Sequence, residues 1–290
     1  MKILSRPDAA RGARMLDMFG LLRVIAPEIE SMRGCAQSPP HRFNVLEHTF
    51  VVLDYADMLL SGQIDPALHF NISDRQRAQL ADHFAAPLTA DRPRAAIFRF
   101  ALLLHDSGKP RAHNTDEAGS AEFPNHPAIG AGLASQRARA LKLSGDETQR
   151  VKIIVQHHMR PNLMARAGEV SLRALYRLWR DVGDCMPELA LLCVADGMGK
   201  AGADTPLEDR QRRGRMAELI LDAYYTRFAP GAAPEPLIHG EDVLALGVAP
   251  GPKIGQMIEV VREAQMAGDI TTRAEALAML RRLAANNQHP

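Results

Sequence analysis

The pair His105-Asp106 sets an imidazole beside a carboxylate inside "ALLLHDSGKP", residues 101–110. An apolar run leads into the pair, and Gly108 and Pro110 punctuate the residues after it. Such a pair either caps a helix end or belongs to a metal site. Other imidazoles and carboxylates decide between the two by where helical spacing aims them. His48 follows Val45 by three residues and precedes Val52 by four, so it falls on the apolar stripe Val45, Val52, Leu59. Val151, Ile154 and Val155 lead along one face to His158, with His157 on the adjoining edge. Leu189, Leu192 and Cys193 share a face with Asp196. His126 stands in the first turn of its helix, after Asn125 as the expected cap.

Taken singly, each histidine fits a hydrogen-bonded core residue, and Asp196 fits a cap for the loop "GMGKAG". Together they are harder to explain separately, because five of the eleven histidines point inward with two aspartates. A carboxylate on an apolar stripe costs several kcal/mol unless it is paired or bound to a cation. Imidazole and carboxylate donors without thiolates suit divalent ions, so one or two of Mn, Fe, Ni, Co, Zn or Mg are the expected cofactors. Asp106 can bridge two of them. Paired ions roughly 3.5–4 Å apart stabilise the attacking and leaving oxygens of a phosphoryl displacement. Lys109, one turn beyond the pair, offers a point charge for phosphate.

The elements that must position these residues all read as helices. Residues 13–25 carry Met15, Met18, Phe19, Leu22 and Ile25 at three- and four-residue spacing. The spacing predicts further helices over 44–60, capped by Asn44, and over 94–106, ending at Ser-Gly-Lys-Pro. Another follows at 126–143, with Pro127 in its first turn. The next, 144–159, opens on the capping box Ser144-x-x-Glu147 and runs to Pro161. Others read at 171–180, 187–196 and 206–227, and no alternating strand stands out. The 46% apolar and 5% aromatic composition of the 290 residues fits a helical globular chain. The expected organisation is all-α: a helical extension over 1–40, a bundle over 41–228, and a Pro/Gly-rich linker with a small helical tail over 229–290.

A net charge of +1 gives no general push toward nucleic acid or membrane. Cys35, Cys185 and Cys193 are odd in number and widely spaced, which argues for a reducing compartment rather than a disulfide framework. No apolar leader and no membrane span is visible, so the expected location is the cytoplasm.

His48, His105-Asp106 and Asp196, in that order, resemble the signature of the HD-domain metal-dependent phosphohydrolases. "GLLRVIAPEIESMRG", "HRFNVLEHTF", "ALLLHDSGKP", "FPNHPAIGA", "VQHHMRP" and "LLCVADGMG" resemble, more closely, the HD-containing post-catalytic half of bacterial tRNA nucleotidyltransferases. Those are the CCA-adding enzymes and their poly(A) polymerase relatives. "LIHGEDVLALGVAPGPKIGQMIEVVREAQ" resembles the end of the same proteins, so the likeness covers roughly residues 13 to 283. It implies an HD helical bundle, with metal ligands at His48, His105, Asp106 and Asp196 and further site histidines at His126 and His158. Lys109 and Arg160 match basic positions near the pocket, as contacts for substrate phosphate. His157 departs from the pattern, and a His-His pair resembles HD phosphodiesterases with extra ligands, so the ligand at 157/158 and the metal count stay open.

The paired aspartates of a nucleotidyltransferase head do not occur, and nucleotide addition is not expected. "DGMGKAG" lacks the Ser or Thr of a P-loop, and the glycines of "GAGLAS" (130–135) read as helix packing. The expected function is therefore hydrolysis of a phosphomonoester or a cyclic or linear phosphodiester on a nucleotide or RNA end, with Asp106, Lys109 and His126 as catalytic residues. Two alternatives stand beside it: a non-catalytic RNA-binding module on an HD scaffold, and a di-iron oxygenase. RNA or tRNA is an expected partner through the tail. The cluster Arg210, Arg212, Arg213 and Arg215 either tracks a phosphate backbone or forms a solvated face balanced by Glu208, Asp209 and Glu218.

Overall fold

A computed structural model describes residues 1–286, apart from Gln63, Ala90 and Ala118. Positions 287–290 of the expected tail lie outside the described residues. The chain is 67% helical and 3% strand, an all-α architecture. Among the described residues the strand content is two short antiparallel pairs, Pro87–Thr89 with Arg92–Pro93 and Asn114–Thr115 with Ala121–Glu122. Runs of two or three residues are too short to show alternation, which is why the sequence does not reveal them.

The chain divides into two compact units, residues 1–168 with 185–221, and residues 169–184 with 222–290. The division departs from the expected boundaries in two ways. Residues 1–40 fold with the body, because Leu22, Ile29 and Met32 are buried there. The helix Leu172–Val182 folds with the tail instead of the body. Its Arg173 and Arg177 pair with Glu263 at 2.8 and 2.6 Å, and the Tyr176 hydroxyl donates to Glu259. The tail core itself joins Ile238, Val243, Met257, Val261, Ala276, Leu280 and Ala284.

In the first unit, every residue of the helix Met186–Gly199 is buried. It packs on the helix Val45–Leu60, which in turn packs on Arg94–Leu104. The helices Gly145–His157 and His126–Ala140 complete the surround. The caps read from sequence form as expected: Asn44 accepts from the Glu47 amide, and Ser144 and Glu147 make a full capping box. Asn125 does not cap. It adopts a left-handed conformation, φ 57°, which asparagine tolerates, and its side chain makes no capping bond.

Pro110 and Pro161 do not end structure either. Each stands in the first turn of a new helix, Lys109–Ala112 and Met159–Arg166, where the missing N–H costs nothing. The preceding helices break at His105 and His158 themselves. The helix Asp74–Ala85 buries only Leu80 and Phe84, too few to mark a period; its sequence signal is the Ser73–Gln76 capping box.

Residues 13–25 form two helices, Ala9–Met18 and Leu22–Ile25, parted by Gly20 at φ 68°. Their apolar series is largely exposed, Met18 by 71% and Phe19 by 64%, while Ala9, Ala10 and Ala13 are buried. Alanines allow the close approach to Val45–Leu60, and Asp57 there accepts the Ala10 N–H at 2.8 Å. Asp57 also receives Arg99, the one charge in the apolar run 95–104, at 2.6 Å.

Candidate metal centre

Five helix ends or turns supply the inward-facing side chains. His48 lies in the first turn of Val45–Leu60, and His105 and Asp106 follow the last residue of Arg94–Leu104. Gly108 lets this turn press onto the helix His126–Ala140, since a Cβ there would sit 2.1 Å from the His126 carbonyl oxygen. Gly130 is confined less severely: a Cβ there would meet the Gly108 nitrogen, Val155 and the His105 carbonyl at 3.2–3.4 Å, as the packing reading of "GAGLAS" expects. Gly132 has open space beside it.

The geometry divides around Asp106. Its Oδ2 lies 3.4 Å from His48 Nε2 and 3.3 Å from His105 Nε2. Asp196 Oδ1 joins the same group, 3.2 Å from His48 Nε2 and 3.8 Å from His105 Nε2. Asp106 Oδ1 faces another group, 3.5 Å from His126 Nε2 and 3.6 Å from His158 Nε2, with those two nitrogens 3.3 Å apart. All of these side chains are buried.

Three of the rings are held in one orientation by the same local device. The Nδ1 of His105, His126 and His158 each donates to the carbonyl three residues earlier, Leu102, Phe123 and Val155, at 2.7–2.8 Å. Each Nε2 lone pair is thereby turned toward Asp106. His48 Nε2, His105 Nε2 and Asp106 Oδ1 are buried without a hydrogen-bond partner. Leaving such atoms unsatisfied costs about 1–3 kcal/mol each, and a cation among them removes that cost. HD domains bind divalent metals, and the triads His48/His105/Asp106 and Asp106/His126/His158 have the spacing to hold one. The donor set fits the group.

Electrostatics favours a cation as well. Burial alone would push both carboxyls up, yet His105 and Lys109 hold Asp106, and His105 and His48 hold Asp196, well below the usual range. Burial also opposes a charge on His105, but Asp106 and Asp196 outweigh it and raise that ring to about 10. The carboxylates thus draw in positive charge, which a proton or a metal ion supplies.

Lys109 donates to Asp106 Oδ2 and to Gln37 Oε1, both at 2.7 Å. It lines a cavity of about 600 Å³ together with Asp106, His126 and Asp196. His157 and Arg160 are not brought to either place. Successive helical residues point about 100° apart, so with His158 aimed inward His157 falls half-buried on the adjoining edge. Arg160 does not line the cavity; Arg166, Lys200 and Arg213 do.

Arg213 is the residue the sequence concealed. Only 3% exposed, it donates to Asp209 at 3.0 Å and to the Asn162 side-chain oxygen Oδ1, and lies 3.6 Å from Asp196 Oδ2. Asn162 donates to that same Asp196 oxygen at 2.7 Å. The glycines of "DGMG" serve these contacts: a Cβ on Gly197 would meet Arg213 Cδ at 2.2 Å, and one on Gly199 would meet His48 Cε1 at 2.8 Å.

Residues 75–199 match the HD domain family; His48 lies upstream of the matched span. Over nearly its whole length the chain is similar to tRNA nucleotidyltransferases. It is 31% identical over 284 residues to the A-adding tRNA nucleotidyltransferase of Deinococcus radiodurans, 97% of this chain and 56% of that protein. To the CC-adding tRNA nucleotidyltransferase of Thermus thermophilus it is 30% identical over 281 residues, 96% of this chain and 54% of that protein. The Multifunctional CCA protein of an Acidovorax strain is 25% identical over 273 residues, covering 89% and 51%. The chain spans about half the length of these curated relatives. No helix among the described residues is long and apolar enough to cross a membrane. The chain carries an HD domain over residues 75–199 and is similar to tRNA nucleotidyltransferases over most of its length.

Proposed function

We propose that this chain is a divalent-metal-dependent phosphohydrolase, acting on a phosphomonoester or a cyclic or linear phosphodiester of a nucleotide or an RNA end. One observation carries the reading: the two oxygens of Asp106 serve separate groups of buried nitrogen donors, as a carboxylate shared between two ions would. His48, His105, Asp106 and Asp196 would hold one ion, and Asp106, His126 and His158 another. Bound divalent ions act as Lewis acids on phosphoryl oxygens and lower the pKa of water.

The side chains have separate tasks. The carbonyls of Leu102, Phe123 and Val155 fix the three imidazoles, so little reorganisation is needed on binding. Arg213 and Asn162 hold Asp196 through its Oδ2. Lys109, steadied by Gln37, brings a positive charge to the cavity for a phosphate oxygen. His126 also lines the cavity and is the site imidazole set to meet substrate there. The relatives' names describe addition of nucleotides to tRNA; the proposal takes from them an RNA end as a substrate, and assigns hydrolysis rather than addition to these residues.

The test is metal analysis by mass spectrometry on protein purified without chelator or metal-affinity resin, beside phosphatase and cyclic-phosphodiesterase assays. One or two divalent ions per chain are expected, lost together with activity in Asp106→Ala. No bound metal, and no turnover after adding Mn, Ni, Co or Mg, refutes the hydrolase and leaves a non-catalytic RNA-binding module. Bound iron without hydrolysis points to the oxygenase instead.

A further inference from the structure

The cavity beside Asp106 contains a cation that the metal centre does not use. Lys200 follows the buried helix Met186–Gly199 and is only 7% exposed, yet its ammonium makes no hydrogen bond or ion pair among the described residues. The carboxylates that influence it are already engaged. Asp196 belongs to the metal group and to Asn162, and Asp209 pairs with Arg212 and Arg213 at 2.7 and 3.0 Å. Burial and the neighbouring Arg213 disfavour its charged form. Holding an ammonium there without a counter-ion costs stability, which an anion in the cavity restores. Arg166 lines the same cavity, also without an ion-pair partner among the described residues. The carboxylates on the cavity wall are Asp106, Asp196 and the exposed Glu122.

We infer that Lys200 and Arg166 form a subsite for a second phosphate of the substrate, separate from the phosphate presented to the metal centre. The inference rests on the proposed hydrolase for the identity of the first phosphate. A compact ammonium and a forked guanidinium together suit a phosphate, and a cavity of about 600 Å³ accommodates a nucleotide. That second phosphate comes either from a free nucleoside bisphosphate or from the internucleotide link next to a phosphorylated RNA end.

The experiment compares kcat/KM for three probes: a nucleoside 3′-monophosphate, its 3′,5′-bisphosphate, and a dinucleotide ending in a 3′-phosphate. Wild type is expected to favour a probe with a second phosphate over the monophosphate by at least about tenfold, and Lys200→Met to reduce that ratio by about tenfold. Preference for both larger probes identifies the bisphosphate source, and preference for the dinucleotide alone identifies the RNA end. An unaltered ratio in Lys200→Met, or no preference in wild type, overturns the subsite. Thermal melting adds a readout that a structural lysine would move the other way: Lys200→Met is expected to melt higher than wild type. If Lys200→Met does not fold, Arg166→Ala, at an exposed position, carries the same ratio test. If no probe turns over, the hydrolase reading fails and calorimetric binding of the same probes judges the subsite by itself. A Lys200-dependent preference for the second phosphate then upholds it, and equal binding overturns it.

Discussion

Replacing Arg213 by methionine tests the architecture behind the metal centre, because this side chain is buried and shared among partners distant in sequence. The substitution keeps apolar bulk but removes the bonds to Asp209 and Asn162 and the approach to Asp196. Asp209 retains Arg212, and the Asn162 oxygen retains the weak Cys193 thiol donor, so the full cost of orphaning both is not expected. A loss of about 3 kcal/mol is expected, the low end for breaking a buried ion pair. For a body of this size that lowers the melting temperature by roughly 6–12 °C. A looser Asp196 should also weaken Mn²⁺ binding by about 10–100-fold, read by chelator competition. Circular-dichroism melts of wild type, Arg213→Met and Arg213→Lys give the stability side. Lysine is expected to recover only part of the loss, since it keeps the charge but not the fork. If Arg213→Met melts within about 1 °C of wild type and binds Mn²⁺ equally well, the reasoning fails.

Gly199→Ala sets a Cβ 2.5 Å from Val52 Cγ2 and 2.8 Å from His48 Cε1. It should cost about 1–3 kcal/mol in urea unfolding and lower metal content, and an unperturbed variant would contradict the packing around His48. His158→Ala should lose bound metal while His157→Ala keeps it; equal loss in both would return His157 to the ligand set. Glu188 gives the pH dependence. Burial pushes its carboxyl up, but His83 at 2.9 Å and Arg150 at 2.9 Å outweigh burial and hold it below its ordinary value of 4.5. Its stabilisation is therefore complete above 4.5 and is lost as pH falls through the lower folded-state value. Glu188→Gln should be destabilised by about 3–5 kcal/mol at neutral pH and show a shallower acid decline than wild type, whereas parallel acid titrations would exclude this group as a contributor.

The sequence alone settles whatever a single helix encodes. Spacing of three and four residues puts His48, His158 and Asp196 on apolar faces, and Asn44 and Ser144 announce their helix starts, because a side chain's direction on a helix depends only on local geometry. The resemblance to HD phosphodiesterases left the ligand at 157/158 open, and periodicity could not see that the helices break at His105 and His158. Periodicity also rested residues 13–25 on methionine and phenylalanine, where close packing instead buries Ala13 and, just upstream, Ala9 and Ala10. Arg213 reads from its neighbours as a solvated arginine. It is buried because Asn162 and Asp196 arrive from other helices, and no local pattern records partners 51 and 17 positions away. The splitting of Asp106 between two donor groups is likewise a product of how separate helices meet. Helical faces follow from spacing along one segment, whereas the site depends on close approach between segments, which Gly108, Gly197 and Gly199 permit.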